Sequence, residues 1–137
     1  MIDLEAQLSQ LDWSDFESVS LQCQDVLRAL AKEQGHLSDL VQNCIFDKCE
    51  KYDLLKKIVL YEGANDTRIR LHLFSGGFYD RPHNHRWPYS ALVLRGGYIH
   101  RIFTCAQPDP LTAEAADIEP LLIEKRTSGH PYSLGTQ

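Results

Sequence analysis

The sequence has no apolar run long enough to cross a bilayer as a helix. It has no block of basic residues. Its 14 Lys and Arg against 19 Asp and Glu leave a net charge of −5, a balance that argues against nucleic acid as a main partner. The N-terminus, MIDLEAQLSQ, lacks the charged-then-apolar build of a signal peptide, so a cytoplasmic setting is expected, with no membrane partner. None of the four cysteines, Cys23, Cys44, Cys49 and Cys105, stands in a C-x-x-C pair. Cys44 and Cys49 are five apart, a spacing that does not share a helix face well, so reduced, structural thiols are expected. Internal repeats, low-complexity tracts and an interdomain linker are also missing. What remains is a 137-residue chain with 43% hydrophobic and 24% charged residues, enough to bury the core of one domain.

The first part reads as helix. Ser14-Asp15-Phe16-Glu17 has the form of a capping box. Phe16, Val19, Cys23, Val26, Leu27 and Leu30 then trace one apolar helical stripe. Gly35 is the expected stop. Ser38 is the expected cap of a second, shorter helix carrying Leu40, Val41, Cys44 and Ile45. Residues 1–53 are therefore expected to form a helical extension that covers a sheet edge or supplies a homodimer contact.

Near Lys57 the period changes to that of strands. Lys57–Tyr61 is β-rich, and Glu62–Asp66 reads as a turn. From Thr67 to Phe74 the residues alternate, with Ile69, Leu71 and Leu73 on one face and Arg70, His72 and Phe74 on the other. Further strands are expected over Tyr89–Leu94, Tyr98–Thr104, Leu121–Lys125 and from Tyr132 on. Arg95-Gly96-Gly97 is a tight turn between two of them, and Cys105–Pro120 is a loop. Many short strands with glycine turns indicate a β-sandwich or barrel over residues 54–137.

One segment carries chemistry. His83 and His85, two apart on an extended chain, project from one face, and neighbouring imidazoles can share a metal ion. They lie in the frame G-x5-H-x-H-x4-S-x6-G, from Gly77 through His83, His85 and Ser90 to Gly97. This frame resembles the first motif of the cupin superfamily, G-x5-H-x-H-x3-4-E-x6-G. The resemblance implies a mainly β, cupin-type jelly-roll barrel with an inward-facing metal site. Ser90 stands where the motif has a glutamate ligand, and a neutral hydroxyl is a poor ligand. Such a loss is similar to the three-histidine branch of cupins, the thiol dioxygenases. In that branch a further histidine comes from a second motif, and the run Gly129–Gln137 does not fit it. The expectations are that this motif falls beyond Gln137, that the missing strands come from another polypeptide, or that His100 or His130 substitutes.

The metal candidates are thus His83, His85 and His100, with Fe(II) leading and Zn, Mn or Ni as alternatives. Trp87, Tyr89 and Ser90 are expected to line the site. Lys57 and Arg70, with Arg81 and Arg86, are candidate anchors for an acidic group on a small-molecule substrate. By the resemblance, Lys57 falls about where thiol dioxygenases carry a carboxylate-binding arginine. The expected function is a metal-dependent cupin enzyme, a non-haem iron oxygenase similar to the thiol dioxygenases. The alternatives are a non-catalytic metal- or ligand-binding cupin, acting as a sensor or accessory domain, and a cupin isomerase or epimerase with His83 as general base.

Overall fold

The long N-terminal helix begins one residue later than the capping box predicts. The carboxylate of Asp15, not the hydroxyl of Ser14, accepts the first free amide, from Ser18 at 3.3 Å. Ser14 is instead held by Asp12, which accepts from its hydroxyl at 2.6 Å. The structure, a computed structural model, describes residues 1–63, 66–77, 83, 85, 87–105 and 118–134, without the side chains of residues 103–105 and 118–122. Within these the chain has helices α1 (Leu4–Ser9), α2 (Phe16–Lys32) and α3 (Gln34–Gln42). A 3-10 turn (Phe46–Lys48) leads into strands β1 (Glu50–Lys51), β2 (Leu55–Glu62) and β3 (Arg68–Phe74). Strands β4 (Tyr89–Ala91), β5 (Gly97–Cys105), β6 (Ile118–Thr127) and β7 (Tyr132–Leu134) follow.

Gly35 does not end α2. The helix stops at Lys32 because Glu33 leaves helical geometry, at φ −104° and ψ 73°. Gly35 lies inside α3, which starts at Gln34 and needs no cap from Ser38. Glu33 serves both helices and accepts the Ile2 amide at 3.2 Å, which ties the N-terminus to this corner. Helix α1 has only six residues, too few to declare a period in the sequence, yet it buries Leu4 and Leu8.

The chain falls into two compact units, Met1–Asp80 and Arg81–Gln137. In the first, β1, β2 and β3 form one antiparallel sheet in that order. Leu60 and Ile69 from the sheet join Leu4, Leu8, Leu11, Val19, Val26 and Leu30 from the helical segment in one core. The expected division between residues 53 and 54 falls inside this unit, because that core joins helices to β2 and β3. The predicted alternation of β3 holds where it is packed: Ile69 is buried and Leu71 lies against the same core. Arg70, His72 and Phe74 share the other face.

In the second unit β4 pairs with β7 and β5 with β6, both antiparallel. The two glycines of the H-x-H frame, Gly77 at the end of the first unit and Gly97 in the second, have physical reasons. Gly77 has φ 81°, in the left-handed region that glycine adopts without strain. At Gly97 a Cβ would stand 2.6 Å from the carbonyl oxygen of Arg126, so β6 can pair this closely only against glycine. Among the described residues the strands make sheets of three, two and two, which do not close into a barrel. The protein there is a mixture of helices and antiparallel sheets. The loop expected after Cys105 lies, over 106–117, outside the described residues, and its two ends belong to β5 and β6. Among the described residues no helix is long and apolar enough to cross a membrane.

Candidate functional site

Register and alternation assemble the polar cluster of the second unit. On β5, Tyr98 and His100 are two apart and share a face. Their partners across the ribbon are Arg126 and Glu124, which share the corresponding face of β6. On the other ribbon, Ala91 faces Tyr132, so Tyr89, two residues from Ala91, lies on the side of Tyr132. Their rings meet edge to face at 6.1 Å.

Tyr132 connects the two ribbons. Its hydroxyl is hydrogen-bonded to that of Tyr98, its ring lies 5.5 Å from the His100 ring, and the Arg126 guanidinium sits 4.0 Å above its face. Arg126 in turn donates from Nε to His100 Nδ1 at 3.2 Å and from a terminal nitrogen to Glu124 at 2.6 Å. The two predicted histidines join the cluster through Tyr89. The His85 ring is 4.8 Å from the Tyr89 ring, and the His83 ring is 4.9 Å from that of His85, tilted by 67°.

The electrostatics follow from this packing. Burial, then the charge of Arg126, then the nearby His85 and His83, push His100 below the usual histidine range, while Glu124 opposes them. Burial raises the phenols of Tyr89 and Tyr98. Burial and the hydrogen bond with Tyr98 raise the phenol of Tyr132 as well. At neutral pH the cluster therefore presents a neutral imidazole and protonated phenols beside one guanidinium.

The spacing of the His83 and His85 rings, an edge-on pair, can be compared with that of two imidazoles on one ion. An imidazole nitrogen bonds a Zn-like ion at about 2.0–2.1 Å, so two rings on one ion have centroids roughly 4.5–5.2 Å apart for angles between octahedral and tetrahedral. The observed 4.9 Å lies in that range. His100 does not complete the set as it stands. Arg126 Nε is always a donor, so His100 Nδ1 must accept, and the proton of the neutral ring sits on Nε2. Both nitrogens are then unsuited to a metal. Among the described residues no group of three His, Cys, Asp or Glu side chains gathers around one point.

The remaining predicted residues divide. Tyr89 is at the cluster. Ser90, expected beside the histidines, points to the opposite face of β4, because neighbouring residues of a strand alternate, and its hydroxyl is bonded to that of Ser133 at 2.6 Å. Trp87, expected to wall a pocket, is 58% exposed. Lys57 and Arg70 belong to the first unit, where Lys57 stands opposite His72 and Arg70 lies two residues from it on the same face. The Lys57 ammonium lies 5.4 Å from the Tyr52 ring centre, and Tyr52 donates to Glu50. That bond, with help from Lys57 and Arg70, holds the Glu50 carboxyl below the usual range. His72 is pushed down to about 4, first by the protein atoms crowding the ring and then by Lys57 and Arg70. The His72 side chain is nonetheless exposed to solvent. Arg81 and Arg86 lie outside the described residues, as does 135–137. His130 sits exposed after the turn at Gly129.

Sequence reasoning misses Arg126, Glu124 and Tyr132 and places Tyr98 on a strand without a role in the cluster. Their signal was present as alternation, Tyr-x-His on one strand and Glu-x-Arg on another, but only the pairing of β5 with β6 brings the two patterns together. No family model, curated protein or solved structure matches the chain.

Proposed function

We propose that the protein is a metal-dependent enzyme for a small molecule, built on a cupin-type jelly roll of which the described strands are parts. Within that class it is a non-haem iron oxygenase similar to the thiol dioxygenases. The observation that supports this reading is the spacing of the His83 and His85 rings within the G-x5-H-x-H frame. These two imidazoles would hold Fe(II). Iron held by neutral ligands with open positions supplies a place where dioxygen and an anionic substrate meet.

The chain's own residues would act around it. Tyr89 packs on His85 and fixes its ring plane. His100, held by Arg126 with its proton on Nε2, is a hydrogen-bond donor toward a bound anion. The Tyr98–Tyr132 pair keeps its protons at neutral pH and offers no competing charge.

The test is elemental analysis of protein purified without chelator, followed by oxygen uptake on small thiols bearing a carboxylate or an amine. About one iron per chain is expected, lost in the His83→Ala, His85→Ala double variant. Full metal content in that variant sinks the reading. A second reading, a non-catalytic ligand-binding cupin, draws on the engagement of His100 Nδ1 by Arg126, which leaves two donors where three are usual. Metal near zero in gently purified protein, with a small molecule still bound, selects it.

A further inference from the structure

The connector between α3 and β1 brings Cys44 and Cys49 together. The 3-10 turn at Phe46–Lys48 folds the chain back so that the two sulfurs are 4.0 Å apart, both thiols half-buried. The surroundings treat them differently. The Val59 amide points at Cys49 Sγ at 3.4 Å, a donor placed where negative charge on that sulfur would need one. Cys44 accepts from Cys49 at 4.0 Å, and burial and the neighbouring Cys49 hold its thiol above the usual range although a backbone hydrogen bond pulls the other way, while Cys49 also donates to the Ile45 carbonyl at 3.4 Å. The turn is itself anchored on β2, because the Ile45 amide donates to the Val59 carbonyl at 2.9 Å. Val59 is fully buried, so the strand under this loop is a fixed platform.

We propose that Cys44 and Cys49 form a reversible dithiol–disulfide site that reacts with low-molecular-weight disulfides. Cys49, as thiolate, attacks one sulfur of the external disulfide, its S–S bond breaks, and one thiol leaves with a proton. Cys44, losing its own proton, then attacks the Cys49 sulfur of the mixed disulfide and expels the second thiol. The protein loses two hydrogens and two electrons, the external disulfide gains both, and a monothiol in excess reverses the exchange. The sulfurs must close from 4.0 Å to about 2.05 Å. The product is a staple across the 3-10 turn, closing the connector against β2.

The test uses the full chain, reduced, desalted and incubated with oxidised glutathione. Trypsin cuts after Lys48, between the two cysteines. The expected product is therefore the tripeptide Cys49–Lys51 joined by a disulfide to the peptide ending at Lys48, with the protein lighter by two hydrogens. The internal disulfide should exceed the glutathione adduct by about tenfold or more, because the second thiol is tethered at high effective concentration. Cys44→Ser should stop at a glutathione adduct on Cys49, while Cys23→Ser should behave as the parent. The inference is overturned if Cys44 or Cys49 pairs with Cys23 or Cys105, if stable adducts accumulate on both residues, or if neither thiol reacts while the urea-unfolded chain does.

Discussion

Ser90 shows how one residue's orientation decides a chemical role. It stands where the cupin frame has a carboxylate ligand, but its hydroxyl is bonded to Ser133 on the face of β4 away from Tyr89 and the histidines. Ser90→Ala should therefore leave metal content unchanged and lower stability by about 1 kcal/mol, the value of one hydrogen bond, read from the urea midpoint. Ser90→Glu should fail to tighten metal binding, because the new carboxylate would point away from His83 and His85. Loss of metal in Ser90→Ala would make Ser90 a ligand.

His72 gives the pH dependence its sign. The folded protein resists protonating a ring whose pKa is pushed down from 6.5 to about 4, so the unfolded chain takes up the proton first. The stability tied to the neutral ring is whole above about pH 6.5, falls as the pH drops through that window, and is lost below about 4. Between pH 7 and 4 the parent should lose stability relative to His72→Gln, which has no ring to protonate, as read from denaturation midpoints. Parallel curves would show that neither the crowding of the ring nor Lys57 and Arg70 disfavours its charged form.

At the scale of elements, α2 is set by its cap and its buried stripe. Asp15→Ala should cost about 1 kcal/mol and Ser14→Ala only a few tenths, since Asp15 makes the capping bond. Val19 is 1% exposed in the core of the first unit, and Val19→Ala should cost about 2 kcal/mol through lost burial and the cavity left behind. In the second unit, Gly97→Ala should force β5 and β6 apart at Arg126, with a loss of about 2 kcal/mol from the overpacked contact. The chemical shifts of the His100 ring nitrogens should move with it, because Arg126 reaches His100 from the displaced strand. An unchanged His100 spectrum would mean that the ribbon absorbs the methyl group without shifting its partner. The strands themselves were legible because alternation and glycine turns are local signals. The ends of α2 and α3 were not, because Glu33 ends α2 through its backbone conformation and contacts the N-terminus far away in sequence.

At the scale of the whole molecule, the net charge of −5 predicts no salt-dependent retention on DNA, and a steep salt slope in a binding titration would contradict it. Two compact units mean that each polar cluster is built inside its own unit, Lys57, Arg70 and His72 in the first and the histidine–tyrosine cluster in the second. The sequence by itself determined the helical start, the switch to strands near Lys57, the His83–His85 pair and the glycine turns at Gly77 and Gly97. Each of these depends on residues within a turn or two of one another, where backbone preference and side-chain period act directly. The tertiary structure alone decided which side chains surround the histidines. Arg126 reaches His100 across 26 residues, Tyr132 reaches Tyr98 across 34, and Ser133 withdraws Ser90 across 43. Such contacts depend on strand register, and a shift of one residue would turn every one of these side chains to the opposite face.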